Sequence, residues 1–167
     1  EILERRHELH PVGEEAERRS FLFVKARLKS SGRVIWIGNT HLGLVEADRR
    51  AQAAALLDAA RGLDAPVVLL GDFNAEPDDG AAGVYTALSE RFDDAWATAG
   101  RNAAASLAPL ADSGIAAPEP YRGETWPADA PAKRIDYVWL RRGDPWSVRR
   151  CLVGATQASD HLPLFAT

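Results

Sequence analysis

Three observations predict a mixed α/β fold for this chain. An apolar run, Pro66-Val67-Val68-Leu69-Leu70, gives out into Gly71-Asp72-Phe73-Asn74, the pattern of a buried strand ending at a glycine. Glu46 to Arg61 carries Ala53, Leu56, Leu57 and Ala60 at helical spacing and stops at Gly62, which reads as a helix with one apolar stripe. Phe21 to Leu28 alternates, Ser30-Ser31-Gly32 turns, and Val34-Ile35-Trp36-Ile37-Gly38 follows, so two strands form a hairpin. With 167 residues the chain is one domain, residues 1–167, long enough to bury a sizeable core.

The remaining elements follow in order. The first twenty residues are charged and read as irregular. A shorter helical piece lies around Ala81 to Arg91. Ala95 to Thr125 is rich in Ala, Gly, Pro and Ser without periodicity and reads as a helix-free surface excursion, which in a domain is more often functional than idle. Strands are expected at Arg134–Arg141, Trp146–Val153 and Leu162–Ala166, and no internal repeat is present.

Composition narrows the partners. A net charge of −4 argues against a protein that coats nucleic acid, which would carry a basic surface. The charge is uneven, because Lys133, Arg134, Arg141, Arg142, Arg149 and Arg150 crowd the last third. That run is either the solvated face of surface strands or a cationic rim that steers an anion. Cys151 is the one cysteine, so neither an internal disulfide nor a thiolate cluster exists. No stretch reaches the roughly twenty apolar residues of a membrane span. The chain starts at Glu1 and has no Met, so the expectation is a product processed or cut from something longer. A missing signal peptide then says nothing; a cytoplasmic monomer is expected, with secretion left open.

Several polar residues sit where apolar strands end. Asp72 and Asn74 are two apart, and alternate residues of an extended chain project to the same side. Asp136 lies within Ile135-Asp136-Tyr137-Val138-Trp139-Leu140. A buried unpaired carboxylate costs several kcal/mol, so Asp136 either holds a partner or sits at the polar end of its strand. Arg134 is the structural candidate. A histidine is the functional one, because a carboxylate orients and charges an imidazole. Ala158-Ser159-Asp160-His161-Leu162-Pro163 supplies His161, with Asp160 beside it as a metal-binding carboxylate, although a lone His before a strand is often merely structural. Asn39-Thr40-His41-Leu42 repeats the pattern, whereas His7 and His10 carry little signal in the charged leader. Trp126 either packs on the sheet or stands near the site.

Other chemistries fail on inspection. From Asp72, the sixth position of a calcium loop would be Pro77 instead of Gly, and the twelfth Gly83 instead of Glu. His-Glu-x-x-His and Gly-x-Ser-x-Gly are both absent. A calcineurin-like binuclear phosphoesterase would place its Gly-Asn-His after Gly-Asp and end in Gly-His-x-His. Here Gly38-Asn39-Thr40-His41 comes first and no such ending exists.

Asn39-Thr40-His41-Leu42, Gly71-Asp72-Phe73-Asn74, Arg134-Ile135-Asp136-Tyr137 and Ser159-Asp160-His161-Leu162-Pro163, in this order, resemble the endonuclease/exonuclease/phosphatase superfamily from about Phe21 onward. The resemblance implies a four-layer α/β sandwich, two packed mixed sheets with helices outside. It implies hydrolysis of a phosphoester, first of all a phosphodiester, with Mg²⁺ or in its place Mn²⁺. By the same analogy Asp72 activates the water, Asn74 and His41 contact the phosphate, His161 donates to it under the orientation of Asp136, and Asp160 lies at the metal. The substrate is then a nucleic acid, a phospholipid headgroup or a small phosphoester; a non-catalytic scaffold of the same fold is the alternative. The family's principal metal ligands, an Asn or Asp and a Glu on the first strands, have no counterpart here, and Glu1 is only formally available. The N-terminal strands are therefore expected to be missing, apolar sheet surface to be left uncovered, and the isolated chain to be feeble as an enzyme.

Overall fold

Strands with one apolar face each, and helices whose stripe matches that face, set the architecture. The structure is a computed structural model and describes residues 1–101, 105–106, 121–156 and 158–167. In chain order its elements are β1 (Ile2–Leu9), β2 (Ser20–Arg27), β3 (Val34–His41), α1 (Glu46–Arg61), β4 (Val67–Asp72), α2 (Val84–Ser89), β5 (Phe92–Asp94), α3 (Ala95–Arg101), β6 (Ala105–Ser106), β7 (Asp136–Arg141), β8 (Cys151–Val153) and β9 (Leu164–Ala166). Six strands form a mixed sheet in the order β1-β2-β3-β4-β7-β5, and β6-β8-β9 form a small second sheet. The fold is thus the mixed α/β arrangement expected, with two sheets. Among the described residues only β3 and β4 run parallel within the large sheet, and α1 is the crossover that such a pair requires.

One face of the large sheet makes the main core. Phe21, Phe23, Trp36, Leu69, Tyr137 and Trp139 pack there against Ala53, Leu56 and Ala60 of α1. Truncating a buried leucine such as Leu56 costs about 2–5 kcal/mol. Gly38 permits the packing, because a Cβ there would stand 2.5 Å from the Phe23 ring and 2.6 Å from Leu69. On the opposite face Ala95, Trp96, Ala99, Cys151, Val153 and Leu162 cluster against Val138 of β7. Further along that face Leu22 is 37% exposed, and Ile37, Val68 and Leu70 are half-buried.

The structure differs from the sequence reading at several places: β5 is unexpected, and β7 and β9 start at Asp136 and Leu164, two residues later than expected. Ile2–Leu9 is an edge strand, although the leader reads as irregular; nearly every residue of it is exposed, so no alternation marks it. β3 runs on past Gly38 to His41, carried by its parallel ladder to β4. Ala95–Arg101 is helical, although the excursion reads as helix-free, because its buried face includes alanines that give little contrast. β8 spans only Cys151–Val153; Trp146 follows the Arg141–Asp144 turn, its N–H donating to the Asp144 carbonyl at 2.8 Å. The rest of the excursion, 102–104 and 107–120, lies outside the described residues.

Candidate active site

Strand register assembles the site. The parallel pairing of β3 and β4 sets His41 beside Asp72, and the antiparallel pairing of β4 and β7 sets Asp136 opposite Asp72. Three polar residues from distant segments therefore share one row at the sheet's end. Gly71 makes the approach possible: its φ is +139°, and a Cβ there would lie 1.9 Å from the Thr40 carbonyl oxygen. Just beyond the strand Asn74 takes φ +49°, a conformation that Asn tolerates better than most residues. Its backbone N–H donates to Asp72 Oδ1 at 2.8 Å, an Asx turn. The Asn74 Nδ2 donates to the Leu42 carbonyl at 2.8 Å. Asp72 and Asn74 thus open into one cleft, with one amide hydrogen of Asn74 already held.

Asp136 is the first residue of β7, and both readings of its surroundings apply: it sits at a strand end and it has partners. Thr125 Oγ1 donates to Asp136 Oδ2 at 2.6 Å, and His161 Nδ1 lies 2.8 Å from the same oxygen. A carboxylate accepts only, so Nδ1 carries the hydrogen. His161 Nε2 then faces Asp72 Oδ2 at 3.9 Å, and His41 Nε2 is 3.3 Å from that oxygen. The backbone N–H of Leu162 donates to the Thr125 carbonyl at 2.7 Å, tying the histidine segment to the residue that braces Asp136. Arg134 takes no part in this. It is buried in an ion pair with Asp94 at 2.6 Å, with its guanidinium 4.9 Å from the Tyr137 ring.

The electrostatics follow from this crowding. Burial, together with the charge of Asp136, lifts the Asp72 carboxyl above its ordinary range, against the Asn74 N–H and the two histidines, which pull it down. Burial alone would depress the His161 imidazole. The hydrogen bond and charge of Asp136, with Asp72 and Asp160, outweigh that and raise it.

Ligand atoms of Asp72, Asp136 and His161 lie within 4.8 Å of one another, and with the His161 Nδ1–H turned to Asp136 the carboxylates are the groups free to hold a metal ion. The donor set fits a hard divalent cation: two carboxylates supply oxygen, and such a cation keeps several waters. Asp136 Oδ2 is committed to Thr125 and His161, which leaves its other oxygen and Asp72 Oδ2. Asp160 is exposed, with Oδ1 3.5 Å from Ser159 Oγ, and lies outside that trio. Glu1 pairs with Arg27, beside the Val34 end of β3 and away from His41.

The cleft has a volume of about 730 Å³. His41, Asp72, Asn74 and His161 line it, as do Leu44, Arg49, Glu76, Asp78, Trp126 and Lys133. Of the six clustered C-terminal cations only Lys133 is among the lining residues, so the run is no cationic rim. Arg141 instead pairs with Asp144 and donates to the carbonyls of Leu63 and Ala65. Thr125 and Arg49 escaped the sequence reading. Thr125 meets Asp136 only once Trp126 and Lys133 bridge, which no local pattern announces. Arg49 donates to the Gly43 and Leu44 carbonyls, shaping the loop after His41.

A family model described as the Endonuclease/Exonuclease/phosphatase family matches residues 7–161. No curated protein matches the chain by sequence. Among solved structures, an endonuclease/exonuclease/phosphatase from Bacteroides vulgatus is 21% identical with a TM-score of 0.76, over 99% of this chain and 64% of that one. A mannosyl-6-phosphatase from Bacteroides thetaiotaomicron is 15% identical with a TM-score of 0.73, over 100% and 66%. D. rerio TDP2 complexed with single strand DNA product is 19% identical with a TM-score of 0.64, over 99% and 66%. The chain spans about two thirds of the length of each. At such identities the likeness is one of fold. The family match, running from the leader strand to His161 and so across the whole row of site residues, carries the assignment: this chain belongs to the endonuclease/exonuclease/phosphatase family.

Proposed function

We propose that the chain carries the water-activating and phosphate-binding part of a metal-dependent phosphoesterase acting on a phosphodiester. Members of the family are phosphoesterases or nucleases. The observation that carries the reading is the relay of Asp136, His161 and Asp72, with separations of 2.8 Å and 3.9 Å. A buried carboxyl with a raised pKa is suited to take a proton from an attacking water. An imidazole whose Nδ1–H is fixed on a carboxylate, and whose pKa is raised, keeps its second proton and presents an Nε2–H donor to a phosphate oxygen as charge builds there. Asn74 and His41 are the further phosphate contacts, and Asp136 fixes the tautomer of His161. Bound Mg²⁺, with Mn²⁺ able to replace it, would be held by carboxylates among Asp72, Asp136 and Asp160 and would supply positive charge against the phosphate oxygens. The protein's own share is alignment and preorganised charge, which is most of what phosphoryl transfer needs.

Hydrolysis of bis(p-nitrophenyl) phosphate by the full-length protein, with Mg²⁺ and with EDTA, tests the reading. The expected result is metal-dependent turnover that Asp72→Ala lowers by at least about 100-fold. Background rates in both forms would instead mark a non-catalytic scaffold.

A further inference from the structure

The charges lining the cleft are not those a polyanion needs. Arg19 lines it, but its side chain is only 9% exposed and is held by Glu15 at 3.2 Å and Glu17 at 2.8 Å. Arg49 gives its Nη1 to two loop carbonyls. Lys133 rests its Nζ 5.6 Å from the Trp126 ring and forms no ion pair among the described residues. The side chains of Glu76 and Asp78, in the loop after Asn74, line the same cleft and likewise have no ion pair or hydrogen bond among the described residues. Asp79 lines it as well, with Oδ2 taken by the Tyr85 N–H and Oδ1 buried without a partner among the described residues. Beyond the reaction centre, then, three carboxylates stand against two cations, Lys133 and Arg49, that no carboxylate pairs among the described residues. Its apolar lining is the half-buried Trp126, the buried Ala75 and Ile135, and Leu44, which is 67% exposed.

These features have a common chemical meaning. A phosphate at the reaction centre meets His41, His161 and the metal. A second phosphate on the same molecule would approach Glu76 and Asp78, and like charges in a partly desolvated cleft repel. Free carboxylates are strong acceptors for hydroxyl hydrogens, and an indole offers a large apolar face for a ligand to pack against. We propose that the cleft takes a phosphate ester bearing a single phosphate and an uncharged, hydroxyl-rich organic group, with Glu76 and Asp78 accepting from its hydroxyls and Trp126 packing against it. This deepens the phosphoesterase reading and rests on it.

The test compares kcat/KM of the full-length protein, with Mg²⁺, on three diesters. Glycerophosphoinositol has one phosphate and many hydroxyls, glycerophosphoinositol 4,5-bisphosphate has the same skeleton with two more phosphates, and dibutyl phosphate has one phosphate and no hydroxyl. The first should exceed each of the others at least tenfold. In the double variant Glu76→Gln/Asp78→Asn the preference over the bisphosphate form should shrink to threefold or less. Equal or faster cleavage of the bisphosphate form or of dibutyl phosphate would overturn the proposal, as would a preference that the double variant leaves unmoved. A short single-stranded oligonucleotide cleaved faster than glycerophosphoinositol would also overturn it and assign the cleft to nucleic acid. Absence of any bis(p-nitrophenyl) phosphate hydrolysis would refute the phosphoesterase reading itself, a different failure.

Discussion

His10, one residue past β1, makes a pH-dependent contribution to stability that can be worked out from its contacts. It is 4% exposed, and its ring stands 5.0 Å from that of Phe21. Thr40 Oγ1 donates to the Ser20 carbonyl at 3.2 Å, so its oxygen is left to accept from His10 Nε2 at 2.8 Å. The tautomer is thereby fixed with hydrogen on Nε2. Nδ1 is buried without a partner among the described residues, and a proton placed there would find no acceptor. Burial accordingly lowers the His10 pKa from 6.5 to about 4. A depressed folded-state pKa gives stability that is present above 6.5 and is lost as pH falls through the window toward 4. Linkage puts the loss at about 2 kcal/mol by pH 5 and about 3 kcal/mol by pH 4. Urea unfolding followed by tryptophan fluorescence at pH 7, 6, 5 and 4, on the native chain and on His10→Gln, isolates this from the carboxylates, which titrate in both. The glutamine keeps an N–H for Thr40 and cannot titrate, so its curve should fall less steeply. Parallel curves would refute the argument.

Four other outcomes are expected. Asp94→Ala leaves Arg134 buried without its carboxylate and should destabilise by about 3–5 kcal/mol, read as a shift in urea midpoint; a change under 1 kcal/mol would mean the guanidinium reaches water. Gly71→Ala must either strain the backbone at φ +139° or open β4 from β3 at Thr40, a loss of at least about 2–3 kcal/mol; an unchanged melting temperature would contradict the close approach. Asp136→Asn should lower kcat by about 10²–10⁴-fold and move the alkaline limb of the pH–rate profile to lower pH, because the charge that keeps His161 protonated is gone; an unmoved limb would dissociate His161 from the donor role. Leu56→Ala should cost about 2–5 kcal/mol with no shift in the pH dependence of stability, checked in the same urea series.

What the sequence discloses is governed by contrast and by range. The run at Val67–Leu70 and the stripe of α1 stand out because buried and exposed positions differ sharply in residue type. β1 is invisible for the opposite reason, since its strand character comes from the ladder to β2 and not from a buried face. Asp72, Asp136 and His161 could be singled out as polar groups in apolar settings, and a pair of Asp136 with His161 was one of two partners the residues left open. Arg134, two residues away, stood as the structural alternative to a histidine partner for Asp136. The choice is made by Asp94, which captures Arg134 from β5, and by Thr125, which braces Asp136 from a segment without periodicity. His10 shows the same limit: among charged neighbours it looks idle, and only the turn of chain that packs it at a tilt against Phe21 buries it.

The shared row of His41, Asp72 and Asp136 ties chemistry to the completeness of folding. A slip of one residue between β4 and β7 would swing Asp136 to the far side of the sheet, and no local rearrangement would restore it. Pairings between remote stretches of chain form late, so helix content should recover before turnover does when the denatured protein is diluted into buffer. On the proposed reading, hydrolysis would then serve as a gauge of correct strand alignment, silent in any collapsed species that has its helices but not its ladder.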